Sequence, residues 1–379
     1  MILLGMAFGI DWLDAIIRLV LLVGFMTVTV MMLIWLERKV GGRLQQRLGP
    51  TRTGPMGLLQ SVADAGKLIS KEDLRPTSAD PWLFQLAPFG MFVPIFVSFL
   101  ALPYSEELWI RSLPLGLFFV LSIQSVSIVG ALMAGWGSDS KYALLGATRA
   151  VAQMISYEIP LVLSVLAVAM LAQSLDFHAI VNGQETVPNI VWQPLAFGIF
   201  MTATLAELAR QPFDMSVSES EVAGGFFIEY SGIRWSMFYL AEYANLFILS
   251  LFGTVIFLGG YAWPFGLDVG WPLQIALTFV KVSAMILFIM WFRFSMPRLR
   301  IDQLMAFAWK VLIPLTLFQI FLNGLVLIYD WPKIILTIVS LVVLVATAFV
   351  VRRVVLRTTR SPRDQRVEAM RIRAARGVS

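Results

Sequence analysis

Nine stretches of this chain are long and apolar enough to cross a lipid bilayer, and they leave almost no room for a soluble fold. A transmembrane helix needs about 20 mostly apolar residues, because no water reaches the hydrocarbon core to satisfy its backbone. Such runs lie near residues 12–36, 82–103, 114–135, 151–174, 190–208, 236–260, 272–292, 305–329 and 333–351, the fifth and ninth being the weakest. Charge tests this count independently. Taken alternately from the end of the first run, segments 37–81, 136–150, 209–235, 293–310 and the tail from Arg352 hold 8, 2, 2, 4 and 9 Lys plus Arg, 25 of the chain's 29. The opposite connections hold only Arg111 and Lys333, while Arg18 and Lys281 sit inside runs. Positive residues concentrate in cytoplasmic loops. The expectation is an all-α polytopic membrane protein with about nine transmembrane helices, its N-terminus outside and its C-terminus cytoplasmic.

Residues 1–351 read as one transmembrane helical domain, and 352–379 as an arginine-rich cytoplasmic tail suited to anionic lipid headgroups or an acidic partner surface. The first run carries Arg18 and ends in Trp-Leu-Glu-Arg-Lys without a small-residue cleavage site, so it reads as a retained helix. Between the first two runs, Leu58, Leu59, Val62, Ala65 and Ile69 recur at helical spacing with Asp64 and Lys67 interleaved. That pattern predicts an amphipathic helix over 55–70, either lying in the membrane interface or packed on the bundle. With no cysteine and a single histidine, His178, the chain lacks ligands for iron–sulfur clusters, paired-imidazole haem or a His-rich metal site. It is expected to bind no cofactor and carry no electrons itself. Nothing in it suggests a nucleic-acid partner.

Only 14% of residues are charged, against about a quarter in soluble domains, so carboxylates inside or beside the apolar runs stand out. Glu158 lies within the fourth run, and Glu242 within the sixth. An ionised carboxylate at mid-bilayer costs roughly 3 kcal/mol, and such residues face protein or water and commonly serve proton relays. Glu207 and Arg210, three apart at the end of the fifth run, share a helix face, where a local ion pair is the plainer reading. Lys281 in the seventh run is a candidate partner for Glu242. Glu207, Asp214, Glu219, Glu221 and Glu229 crowd one acidic segment, 207–235. Together these groups outline a polar track better suited to protons than to a bulky solute. Gly41-Gly42 and Gly49-Pro50 imply a fixed, turning backbone beside Arg38, which could wall a cavity for a lipid-soluble ligand.

The wording of these segments is more specific than their composition. Glu37-Arg-Lys, Gln46-Arg-Leu-Gly-Pro, Asp64-Ala-Gly-Lys-Leu, Ser156-Tyr-Glu, Pro212-Phe-Asp, Glu229-Tyr-Ser-Gly, Ala241-Glu-Tyr and Pro297-Arg-Leu-Arg-Ile-Asp-Gln-Leu occur in this order. Between about residues 11 and 330 the chain resembles the H-type membrane subunit (subunit 1) of respiratory complex I. The resemblance implies a quinone-chamber and proton-coupling subunit of a proton-translocating NADH:quinone oxidoreductase, inactive alone; the arginine tail and the ninth run suit a bacterial plasma membrane better than an organelle. Arg38, Asp64, Lys67, Arg293 and Arg298 would border the quinone chamber. Glu207, Asp214, Glu219, Glu221 and Glu229 would form an acidic funnel, with Arg210 among the proton-coupling residues and Glu158 and Glu242 passing protonation changes onward. Quinone would be the substrate, with FMN and iron–sulfur clusters in partner subunits. Those partners would be soluble quinone-arm subunits, small and antiporter-like membrane subunits, and lipids.

One departure bears on the proton route. The family's Pro-Phe-Asp-Leu-Pro-Glu-Ala-Glu reads here Pro-Phe-Asp-Met-Ser-Val-Ser-Glu, so Val217 replaces a funnel carboxylate and Ser216 a stiffening proline. Two rival readings remain at this level: the anchor of a complex I-related hydrogenase or other non-NADH complex, and a free-standing proton-coupled transporter, although no inverted repeat is visible.

Overall fold

The computed structural model describes residues 11–108, 113–215, 224–263 and 270–358, and among them every regular element is helical. The order is α1 (Asp11–Leu44), α2 (Gln60–Ser70), α3 (Pro81–Ser98), α4 (Gly116–Gly137), α5 (Lys141–Ala172), α6 (Phe177–Asn182), α7 (Asn189–Trp192), α8 (Pro194–Glu207), α9 (Gly232–Phe257), α10 (Trp271–Ser295), α11 (Ile301–Ile328) and α12 (Lys333–Thr358). Eight of these, α1, α3, α4, α5, α9, α10, α11 and α12, are long and apolar enough to cross a membrane.

The fifth apolar run behaves differently. α8 has 14 residues, about 21 Å at 1.5 Å per residue, against a hydrocarbon core of about 30 Å. Gln193 breaks the helix with φ −131°, and Pro194 restarts it. The buried Gln193 side chain donates to Ala167 O of α5 at 3.2 Å, so the break is anchored in protein. A span too short for lipid is tolerated because its ends are enclosed.

α9 is the hub: 89% of its most apolar window is buried, against 11% for α12. Ile334, Ile338, Leu341, Val342 and Val345 of α12 lie on the surface, where a bilayer makes apolar exposure free of penalty. α12 is nonetheless tied in by polar bonds. Ser340 Oγ donates to Gln319 Oε1 (2.9 Å), Gln319 Nε2 to Asn323 Oδ1 (3.1 Å), and Asn323 Nδ2 to Ala167 O (2.7 Å). Small residues permit close helix contact: a Cβ on Gly130 of α4 would stand 2.5 Å from Met91 N of α3.

The predicted amphipathic helix is two pieces, a 3-10 turn at Pro55–Gly57 and α2. Ser61 is buried and donates to Met31 O of α1 at 3.0 Å, while Val62 and Ile69 are 52% and 68% exposed. One edge therefore packs on the bundle, and an apolar face remains outside. Lys281 does not pair with Glu242. Its Nζ donates to Leu258 O (2.8 Å), Gly260 O and Ala262 O (both 2.9 Å), just past the C-terminus of α9. Glu242 and Leu258 are 16 residues apart, about 24 Å along such a helix.

Candidate functional site

Helix α1 continues past its apolar run and delivers Glu37 and Arg38 in succession. Consecutive helical residues diverge by about 100°, so Glu37 turns inward and is buried while Arg38 is exposed. Gly41 lets the ring of Phe294 lie against α1, since a Cβ there would be 2.5 Å from the ring. This brings the end of α10 beside Glu37.

Glu37 Oε2 accepts from Arg210 at 2.5 Å, and Oε1 accepts from Arg293. The second terminal nitrogen of Arg210 is 3.0 Å from Glu242 Oε1, and its guanidinium lies 4.7 Å from the centre of the Tyr243 ring. One buried arginine thus joins α1, α9 and the segment after α8. Tyr243 and Tyr239 hydroxyls are 3.1 Å apart, and Tyr239 stacks on Trp235 with centroids 5.1 Å apart. These residues recur every four positions on one face of α9.

Arg210 and Glu207 do not share a helix face. α8 ends at Glu207, and Ala209 has φ +47°, which turns the chain. Gln153 of α5 fixes the turn by donating to both Ala206 O and Phe213 O at 2.8 Å. Arg210 therefore points across to Glu37 and Glu242. Glu207 is left 5% exposed, its Oε2 without a hydrogen-bond partner among the described residues.

These groups surround a cavity of about 620 Å³, within the usual size range for small-molecule sites. Of the residues predicted from sequence, Arg38, Glu207, Arg210, Asp214, Glu242 and Arg293 line it. Asp64 and Arg298 stand one contact back, through Arg38–Asp64 at 2.6 Å and Arg298–Asp214 at 2.8 Å. Lys67 is exposed on the last turn of α2, and Glu229 is half-buried after the Gly225–Phe227 turn; neither lines the cavity. Glu219, Glu221 and Val217 lie outside the described residues. Sequence reasoning missed Glu37, Tyr239 and Tyr243 as cavity residues. Glu37 beside two basic residues reads as an interfacial charge, and only the fold shows it turned inward.

Glu158 is also off the cavity wall. It accepts a hydrogen bond from Ser125 of α4 and lies within electrostatic reach of Glu207. The adjacent Gln124 donates to Asn245 Oδ1 at 3.4 Å, and Asn245 does line the cavity. Arginine and tyrosine donors can bind the carbonyl oxygens of a ring, and the carboxylates can take up or release protons beside it.

Asp64 is partly buried, which pushes its pKa up, but the bonds from Arg38 and Gln60 prevail and hold it below the ordinary carboxylate value. A lowered folded pKa stabilises above the unfolded value and loses that contribution as pH falls through the folded one. The α1–α2 pairing should thus be unchanged from pH 9 to 5 and weaken only below about pH 4. Its contribution is about 0–1 kcal/mol, since Arg38 is exposed. Mobility of a spin label on α2 in the Asp64→Asn variant, against the unsubstituted protein across that range, measures this. Loosening at pH 6 would refute it.

Comparison with known proteins follows the same residues. The family model described as NADH dehydrogenase matches residues 17–324, leaving α12 beyond its end. The chain is 47% identical over 306 residues to the NADH-quinone oxidoreductase H subunit of Dehalococcoides mccartyi (strain CBDB1), covering 81% of this chain and 85% of that protein. The protein of the same name from Brevibacillus brevis is 43% identical over 316 residues, covering 83% and 93%. The second NADH-quinone oxidoreductase H subunit of Rhizobium meliloti is 43% identical over 319 residues, covering 82% and 96%.

Proposed function

Because this chain belongs to the H-subunit family of NADH-quinone oxidoreductases, the membrane subunits of complex I, we propose that its cavity is a wall of the quinone chamber and that its carboxylates couple quinone reduction to proton movement. The observation that carries this reading is the convergence of Arg210, Arg293, Glu37, Glu242 and Glu207 on one cavity. Arginine and tyrosine donors would orient the quinone headgroup. Negative charge developing there would act on carboxylates a few Å away, where coupling reaches several kcal/mol at an effective dielectric of about 20. Protons would pass from Glu207 toward Glu158, with Asp214, Glu219, Glu221 and Glu229 forming the acidic surroundings of the chamber.

Electrons would arrive from iron–sulfur clusters, and ultimately FMN, in partner subunits. Soluble quinone-arm subunits would roof the cavity, and small and antiporter-like membrane subunits would continue the proton path. Arg38, Asp64 and Lys67 lie where α1 meets the half-exposed α2, which would rest among lipid headgroups at the quinone entrance; Arg298 would brace Asp214 at the opposite rim. The assembly would sit in a bacterial plasma membrane with segment 37–81 on the cytoplasmic side.

The test is Glu207→Gln in the assembled complex, reconstituted in vesicles. Glutamine keeps the shape but cannot exchange a proton, so protons translocated per NADH oxidised should fall. Proton translocation and quinone reduction both unchanged would refute the assignment.

A further inference from the structure

Glu207 is not the only unsatisfied polar group at the end of α8. Thr204, three residues earlier, is fully buried, and its hydroxyl also lacks a hydrogen-bond partner among the described residues. A helical threonine normally satisfies its hydroxyl on a carbonyl one turn back. In this protein Thr202, Thr254, Thr278 and Thr316 do so, whereas Thr337 of α12, like Thr204, does not. Thr204 forgoes that bond, although an unpaired buried donor costs about 1–3 kcal/mol.

The register of α8 against α5 shows what lies on either side. Gln153 donates to Ala206 O, and Gln193 to Ala167 O, so the helices run antiparallel, with position 153 opposite 206 and 167 opposite 193. Glu158, five residues beyond Gln153, is about 7.5 Å farther along the helix axis; Thr204, two residues beyond Ala206, is about 3 Å farther in the same direction. Thr204 therefore lies at a depth between Glu207 on the cavity wall and Glu158 behind it. On one helix face, residues three apart have Cβ atoms about 5–6 Å apart, a gap that one water spans between the Thr204 hydroxyl and Glu207 Oε2.

We propose that Thr204 is a positioning residue for proton transfer between Glu207 and Glu158, its hydroxyl holding a water molecule bonded to Glu207. The proposal rests on the proton-coupling reading above. The Glu207 carboxyl gives its proton to the water–hydroxyl pair as that pair gives one of its own to the Glu158 carboxylate. Threonine ends the step as it began, neutral and protonated.

Thr204→Val removes the hydroxyl at nearly constant volume, and Thr204→Ser restores it. In vesicles of the assembled complex, coupled turnover of Thr204→Val should fall about tenfold, less than the ~10²-fold or more typical of losing a primary acid or base, because water partly substitutes. Its melting temperature should change little, since valine keeps the volume and the hydroxyl bonds no protein group among the described residues, and Thr204→Ser should pump normally. Thr204→Ala serves if the valine variant fails to assemble. Normal pumping by both the valine and alanine variants, with Glu207→Gln defective, overturns the inference and leaves the coupling reading standing. Normal pumping by Glu207→Gln as well overturns both.

Discussion

Replacing Arg210 with methionine should abolish quinone reduction by the assembled complex and destabilise it more than any other charge substitution around the cavity. Arg210 is 2% exposed and forms ion pairs with Glu37 on α1 and Glu242 on α9 while lying over Tyr243. Removing one partner of a buried ion pair costs about 3–5 kcal/mol, because the remaining charge stays buried without compensation. Glu37 would keep Arg293, and Glu242 has its side chain 37% exposed toward the cavity, so the loss should fall toward the lower end of that range. Lysine should not rescue, since a point charge cannot serve two carboxylates and stack on a ring at once. Thermal unfolding and NADH:quinone activity of the Met and Lys variants measure both effects. A double variant with Glu37→Gln should lose less than the sum of the two single losses, because neither charge of the pair is then left buried without its partner. Strict additivity would show that the Glu37–Arg210 bond contributes nothing. The exposed Arg298–Asp214 pair, by contrast, should contribute no more than about 1 kcal/mol.

The fold was readable because the bilayer leaves few options. Length and polarity of the apolar runs, with the Lys and Arg bias, locate the eight long spans and the shorter α8 without any tertiary information. Charged pairing was harder to read, because it depends on where a helix stops. The spacing of Glu207 and Arg210 suggests a local pair, yet the turn at Ala209 separates them and sends Arg210 to a residue 173 positions away in sequence. Glu37 carries no signal of burial in its neighbourhood; its inward orientation follows from α1 running on to Leu44 and from Phe294 packing on Gly41. The orphaned hydroxyl of Thr204 was likewise invisible, since an apolar run with two threonines reads as ordinary helix.

Lys281 offers the second large effect, and a separation of stability from chemistry. An intramembrane lysine reads most naturally as part of a proton path, but here its three donors all go to the carbonyls of Leu258, Gly260 and Ala262. A helix end leaves its last carbonyls unpaired, and in a bilayer each unmet group costs several kcal/mol. Three bonds from one ammonium at the negative end of the helix dipole satisfy that need directly. Lys281→Met should therefore lower the yield and melting temperature of the assembled complex sharply, with Lys281→Gln intermediate, because an amide supplies two of the three donors. Complexes that do assemble should reduce quinone and pump protons at a normal rate per complex, because the capped end lies about 24 Å from Glu242. The opposite pattern, normal assembly with failed pumping, would return Lys281 to the proton path and make its contacts with the three carbonyls incidental.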